Sequence, residues 1–132
     1  MSSNAAAALI GHPWTPETNC WWLVREYFAR CRGIALPDLA GLGRGVRATG
    51  WRPVVCGSHG ADDIILMRGP SGARHVGVML AADARLAVLH CDGGLCTTPR
   101  GTTAPWGGVV WQPLADLAAS GYRDFEFWRA PC

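Results

Sequence analysis

An amphipathic helix near the amino terminus is the feature that most constrains the fold of this chain. Apolar residues recur at the three- and four-residue spacing of a helix face, at Cys20, Leu23, Val24, Tyr27, Phe28 and Cys31. Asn19 stands at the N-cap position, and Gly33 stands where a glycine commonly ends a helix. The pattern therefore predicts a helix from Cys20 to about Arg32, with one face packed on the protein body.

The first residue of this helix is a cysteine, and its position suits nucleophilic chemistry. The amino end of a helix carries a partial positive charge, which favours the thiolate form of a thiol. A small buried residue is the alternative for any lone cysteine at a helix start. Two histidines on later strand-like segments, His75 and His90, shift the balance toward a nucleophile.

The rest of the chain predicts an antiparallel sheet with a late helix. Short apolar runs bounded by turn residues predict strands at 63–67, 75–80, 86–91, 108–111 and 122–128. The first three, joined by short links, form a meander, and the last is expected at a sheet edge. A helix is predicted at 113–120, a short helical piece at 37–40 and a loop at 41–45.

Length and composition exclude several classes of protein. The 132 residues suffice for one domain, 1–132. Its first 19 residues are polar and contain prolines, which predicts an irregular arm. A net charge of +2 without a basic run argues against nucleic acid, and no apolar run is long enough to span a membrane. Without a signal-like segment, the six cysteines are expected to be reduced thiols made in a cytoplasm.

The two histidines can form a catalytic group with Cys20 if the helix packs across the sheet. Cys20 would then meet His75, with His90 orienting His75 from behind, as the nucleophile, base and orienting group of a cysteine hydrolase. The backbone N–H groups at the helix start would form the oxyanion site. From the residues alone, this interpretation and a purely structural one stay about equally open.

A metal centre is the main chemical alternative. His90, Cys91 and Cys96 offer ligands, and Cys56 or Cys132 could join them. The chain has no Cys-x-x-Cys pair and no second matched pair of ligands, so we expect no metal and no other cofactor.

An ordered set of segments resembles the NlpC family, papain-like cysteine peptidases of bacterial cell walls, and in particular its small phage tail-associated members. The matching segments span about residues 11–95 and are 19–25, 33–37, 63–67, 75–78 and 89–90. The resemblance implies an α+β fold, a papain-like minimal core whose amino-terminal helix carries the nucleophile and packs on an antiparallel sheet.

The resemblance also implies site roles. Cys20 would be the nucleophile, His75 the base and His90 the third polar residue, with cleavage of peptidoglycan stem peptides through an acyl-thioester. Asn19, Trp21 and Trp14 would belong to the substrate or oxyanion region. Asn19 replaces the family's usual aspartate, and Trp14 replaces a tyrosine near the site, which exchanges an acid–base hydroxyl for an indole donor. A third departure is Trp22, which stands in place of a usual glycine.

The resemblance to tail-associated members suggests how such an enzyme reaches the wall. A virion tail, assembled in the host cytoplasm, would carry it, and its partners would be the peptide stem and phage tail-tip proteins. Exposed tryptophans among Trp14, Trp21 and Trp106 could anchor it to a tail subunit. The alternatives are a structural tail-tip protein with a dispensable peptidase fold, amidase or acyl-transfer activity, and delivery by a secretion system.

Overall fold

A computed structural model describes residues 2–38, 46, 50–82, 84–93, 96–97, 103–104 and 107–131. The helices whose bounds lie within the described residues are α1 (Ser2–Ala7), α2 (Cys20–Arg32) and α3 (Leu114–Ala119). The strands are β1 (Arg52–Val54), β2 (Ile64–Arg68), β3 (Arg74–Ala82), β4 (Arg85–Asp92), β5 (Cys96–Thr97), β6 (Thr103–Ala104), β7 (Gly108–Gln112) and β8 (Arg123–Arg129). The predicted loop at 41–45 and Trp106 lie outside the described residues.

The fold is α+β, with a six-stranded antiparallel sheet in the order β1-β8-β2-β3-β4-β7. The predicted meander of β2, β3 and β4 is confirmed. The edge position predicted for β8 is wrong, because Arg52–Val54 pairs with its outer side. This three-residue edge strand contains Pro53 and has no apolar alternation, so its sequence does not predict a strand.

The amino-terminal arm is more regular than its sequence predicts. Residues Ser2–Ala7 form α1, and Ala6 and Leu9 are buried in the core. Alanine has the highest helix propensity, but a six-residue helix is not stable by itself. Packing against α2 supplies the additional stability. Beyond α1 the chain follows β7, where the N–H of Gly11 donates to the carbonyl of Val109 at 2.9 Å.

Helix α2 has the boundaries and caps that the sequence predicts. The Asn19 side chain accepts a hydrogen bond from the N–H of Trp22 at 3.0 Å, and Gly33 ends the helix with φ of 65°. The helical piece predicted at 37–40 is not present at Pro37 and Asp38, the two of its residues that the structure describes.

Side chains of the sheet alternate between two faces, which organise the core. The helix face packs on α2 and carries Val76, Val78, Leu80, Leu89 and Cys91. The histidine face carries His75, Met79, Val88 and His90, and packs on α3 and the segment leading into β8. In the part of the chain that the structure describes, no helix is long and apolar enough to cross a membrane.

Candidate active site

The start of α2 places the thiol of Cys20 among backbone donors. The N–H groups of Val76, Trp21 and Cys20 itself lie close to the sulfur and favour its thiolate form. Burial opposes them and is the larger effect, so the pKa of the Cys20 thiol is raised above its usual value. The thiolate that the helix position predicts is therefore not the resting form of this group.

Cys20 meets the sheet at the residue that follows His75. The ladder between β3 and β4 ends at the pair Gly77 and His90, so the N–H of Val76 lies one residue beyond it. On its other side β4 stays paired with β7 as far as Asp92. The sheet thus opens between β3 and β4 at this point, and the Cys20 sulfur lies at the opening.

The two histidines predicted for the site form a direct pair. Nε2 of His75 lies 2.9 Å from Nδ1 of His90, with the ring planes at 85°. Both rings are buried, with His75 8% and His90 0% exposed. Neighbouring strands place the two side chains on the same face of the sheet, so that His90 lies beside His75, as the sequence predicts.

The contact predicted between Cys20 and His75 is not made as a hydrogen bond anywhere in the described chain. Successive side chains of a strand point to opposite faces, so His75 projects away from the face on which α2 packs. The sulfur reaches the backbone beside His75 rather than its ring. In His75, Nε2 is engaged by His90, which leaves Nδ1 as the ring atom that could face the sulfur.

Burial also decides the charge of the two rings. Burial lowers the pKa of both histidines, and the charge of His90 lowers the pKa of His75 further. The nearby carboxylate of Asp92 raises both pKa values and so partly offsets the effect of burial. At neutral pH the site therefore holds a neutral thiol and two neutral imidazoles rather than a thiolate–imidazolium pair.

Two further polar residues lie beside the histidine pair, and the sequence does not predict either as a functional group. Gln112, the last residue of β7, lies with Oε1 2.7 Å from Nε2 of His90. Asp92 ends β4 on the histidine face and accepts a hydrogen bond from Tyr122, whose ring lies 5.6 Å from that of His75. The two-residue spacing of His90 and Asp92 is a signal that they share a face; Gln112 carries no such signal.

The three residues assigned to the substrate or oxyanion region occupy different environments. Asn19 caps α2, and the N–H of Trp21 faces the Cys20 sulfur. The Trp21 indole is buried at 5% exposure and donates to the carbonyl of Pro37 at 3.0 Å, so this side chain is not available for docking. Trp14 is half-buried, and its ring covers the backbone of Gly93 just beyond Asp92.

Strand geometry separates two of the residues that the metal alternative offers as ligands, while the side chain of Cys96 and residue Cys132 lie outside the described part of the chain. His90 and Cys91 are adjacent in β4, so one side chain points to the histidine face and the other to the helix face. Within the described ranges, no three histidine, cysteine or acidic side chains come together as a metal site. Cys20, Cys56 and Cys91 are free thiols.

Comparison with known proteins leaves the family open. No protein-family model matches the chain, and no curated protein is significantly similar to it.

Proposed function

We propose that this protein is a tail-associated cysteine peptidase that hydrolyses peptide bonds of peptidoglycan stems. One observation carries the proposal: a helix-start cysteine meets β3 beside His75, and His75 is paired with His90 at 2.9 Å. The proposed nucleophile thus lies beside the backbone of the proposed base, and the base contacts the proposed orienting group, which supports this assignment of roles. The resemblance of the sequence to NlpC peptidases supplies the substrate class.

In the proposed mechanism, Nδ1 of His75 takes the proton of the Cys20 thiol as substrate enters. The sulfur attacks the scissile carbonyl carbon, and the resulting oxyanion is held by N–H groups at the start of α2. When the tetrahedral intermediate collapses, the C–N bond breaks and the amine leaves with the proton from His75. Water, deprotonated by His75, then hydrolyses the thioester and regenerates the thiol.

The resting site is not yet arranged for this proton transfer. The thiol and imidazole are neutral, and His75 projects from the opposite face of the sheet to the one that contacts α2. Binding of substrate at the opening between β3 and β4 would have to bring Nδ1 to the sulfur. Catalytic hydrogen bonds are commonly loose in a free enzyme and tighten in the complex.

The same features favour a second candidate function, a structural tail-tip protein that keeps the fold without catalysis. A half-buried neutral thiol that makes no hydrogen bond with an imidazole among the described residues is compatible with a packing role. In that case Cys20 would serve as a small packing residue at the helix start.

Cleavage of purified cell wall separates the two functions. The purified protein should release soluble peptides from peptidoglycan, and Cys20→Ala should abolish the release while the protein remains folded. Cys31→Ala, on the same helix but away from the opening, is the matched control and should keep full activity. Equal release by wild type and Cys20→Ala would reject the peptidase and leave the structural protein.

Particle association tests the proposed location. We expect the protein in purified phage-like particles, at low copy number near the tail tip, when particle proteins are measured by mass spectrometry. Its presence in host lysate but never in particles would contradict a tail location and favour delivery by a secretion system.

A further inference from the structure

Gln112 closes a line of three hydrogen-bonded side chains behind the site. It lies on β7, next to β4, and its Oε1 is 2.7 Å from Nε2 of His90. The other nitrogen of His90 is 2.9 Å from Nε2 of His75. The line thus runs from the amide through two buried rings and ends at Nδ1 of His75.

The chemistry of the amide oxygen fixes where the protons in this line must be. An amide oxygen only accepts, so Nε2 of His90 must carry the hydrogen of that bond. In a neutral imidazole the other nitrogen is then bare, so Nδ1 of His90 must accept from Nε2–H of His75. His75 in turn must have a bare Nδ1, and a bare nitrogen is what a general base requires.

We propose that Gln112 is a positioning residue that sets the tautomer of both histidines and so leaves Nδ1 of His75 free to take a proton. The catalytic consequence rests on the proposed peptidase function, whereas the tautomers themselves do not. When His75 accepts a proton, the positive charge can be shared with His90, whose Nε2–H donates to the Gln112 oxygen. The amide cannot take up the proton, so the charge stays at the histidines beside the nucleophile.

The location of Gln112 explains why these tautomers are held. His90 is fully buried, so no bulk water competes with the amide for Nε2. The β4–β7 ladder fixes the approach of the amide, because Gln112 pairs with Val88, two residues from His90 on the same face. The bond from Gln112 also favours protonated His90, which partly offsets the effect of burial on its pKa.

Nuclear magnetic resonance of ¹⁵N-labelled histidine tests the tautomers directly, at a pH where both rings are neutral. In the wild type, both His75 and His90 should show a protonated Nε2 and a bare Nδ1. Gln112→Met, of similar length but without an accepting oxygen, should give a mixture of tautomers at both rings. Gln112→Glu retains an acceptor and should keep the wild-type pattern. Val110→Ala, on the same strand and face and directly opposite His90, adds no hydrogen-bonding group; it is the control and should change neither ring.

Kinetics on a soluble stem peptide tests the consequence. Gln112→Met should lower kcat on the order of tenfold with KM unchanged, the loss of one hydrogen bond to a charged ring, and Gln112→Glu should recover most of it. A protonated Nδ1 on His75 in the wild type would overturn the proposal, as would an unchanged tautomer in Gln112→Met. If the wild type cleaves nothing, the peptidase function fails, and the spectra alone still decide whether Gln112 sets the tautomers.

Discussion

The Nε2 atom of His75 and the Nδ1 atom of His90 lie 2.9 Å apart inside the protein, across the strands β3 and β4. Two buried rings in contact share one proton between them, so each determines the protonation of the other. The pairing makes His75 part of a fixed network rather than an isolated strand residue. Among the described residues, Nδ1 of His75 makes no hydrogen bond, so the functional question is whether the Cys20 thiol reaches that atom.

Thiol reactivity should reveal whether that contact forms in the free protein. Because burial raises the pKa of Cys20, we expect slow alkylation by iodoacetamide at pH 7 and a rate that rises with pH above 9. The exposed Cys56 is the internal control and should react first. Peptide mapping by mass spectrometry measures both. Rapid alkylation of Cys20 at pH 7 would show a stabilised thiolate, which contradicts the neutral resting site.

Acid should destabilise the protein in a window set by the two buried histidines. Their folded pKa values are lowered from 6.5, so on acidification the unfolded chain binds protons first. Stability is thus full above pH 6.5 and falls as the pH drops toward the folded values, by up to about 1.4 kcal/mol per pH unit for each ring. Urea unfolding between pH 8 and 5 measures the slope.

A histidine variant tests whether the two buried rings cause this pH dependence of the free energy of unfolding. His75→Gln should roughly halve it, since one of the two buried rings is removed. His12→Gln, in the arm and half-buried, leaves both buried rings in place and should keep the wild-type slope. A free energy of unfolding that stays constant from pH 7 to pH 5 would contradict the neutral pair.

The small glycine of β3 should be needed for the site to assemble. A Cβ at Gly77 would lie 2.6 Å from Cγ1 of Val88 and 2.9 Å from the carbonyl oxygen of Leu89. Gly77→Ala must therefore push β4 away where the ladder ends, at a cost of about 2 kcal/mol in the free energy of unfolding. Gly60→Ala meets nothing within 4 Å and should be nearly neutral. Equal stability of the two variants would argue against this packing.

The buried carboxylate of Asp63 should stabilise the sheet where the start of β2 meets the end of β8. Both its oxygens accept from the Arg129 guanidinium at 2.8 Å, and one accepts from the N–H of Gly60. Burial raises its pKa, but these bonds more than offset burial and leave the pKa below its usual value. Asp63→Asn should cost about 2 kcal/mol, reduced from the fully buried case because Arg129 is half exposed.

The exposed pair of Glu26 and Arg30 provides the control for that variant. It lies on α2 at four-residue spacing, so Glu26→Gln should cost under about 0.5 kcal/mol. Thermal or urea unfolding compares the two variants. If Asp63→Asn were as mild as Glu26→Gln, the buried ion pair would not contribute to stability as we expect.

The sequence by itself determined the elements whose signals are local. The helix α2 was predictable with both ends because its caps, Asn19 and Gly33, lie next to a regular apolar pattern. The meander followed from apolar runs and turn residues, and the α+β class followed from these elements. His75 and His90 could be placed together because neighbouring antiparallel strands bring fixed positions side by side.

Only the tertiary structure decided what depends on contacts between distant segments. The strand β1, the inner position of β8 and the burial of α1 arise from pairing and packing that no local pattern encodes. The place of Gln112 behind His90 depends on the β4–β7 register. The charge state of the site was also beyond the sequence, because the helix start favours a thiolate while burial, a property of the whole fold, favours the neutral thiol.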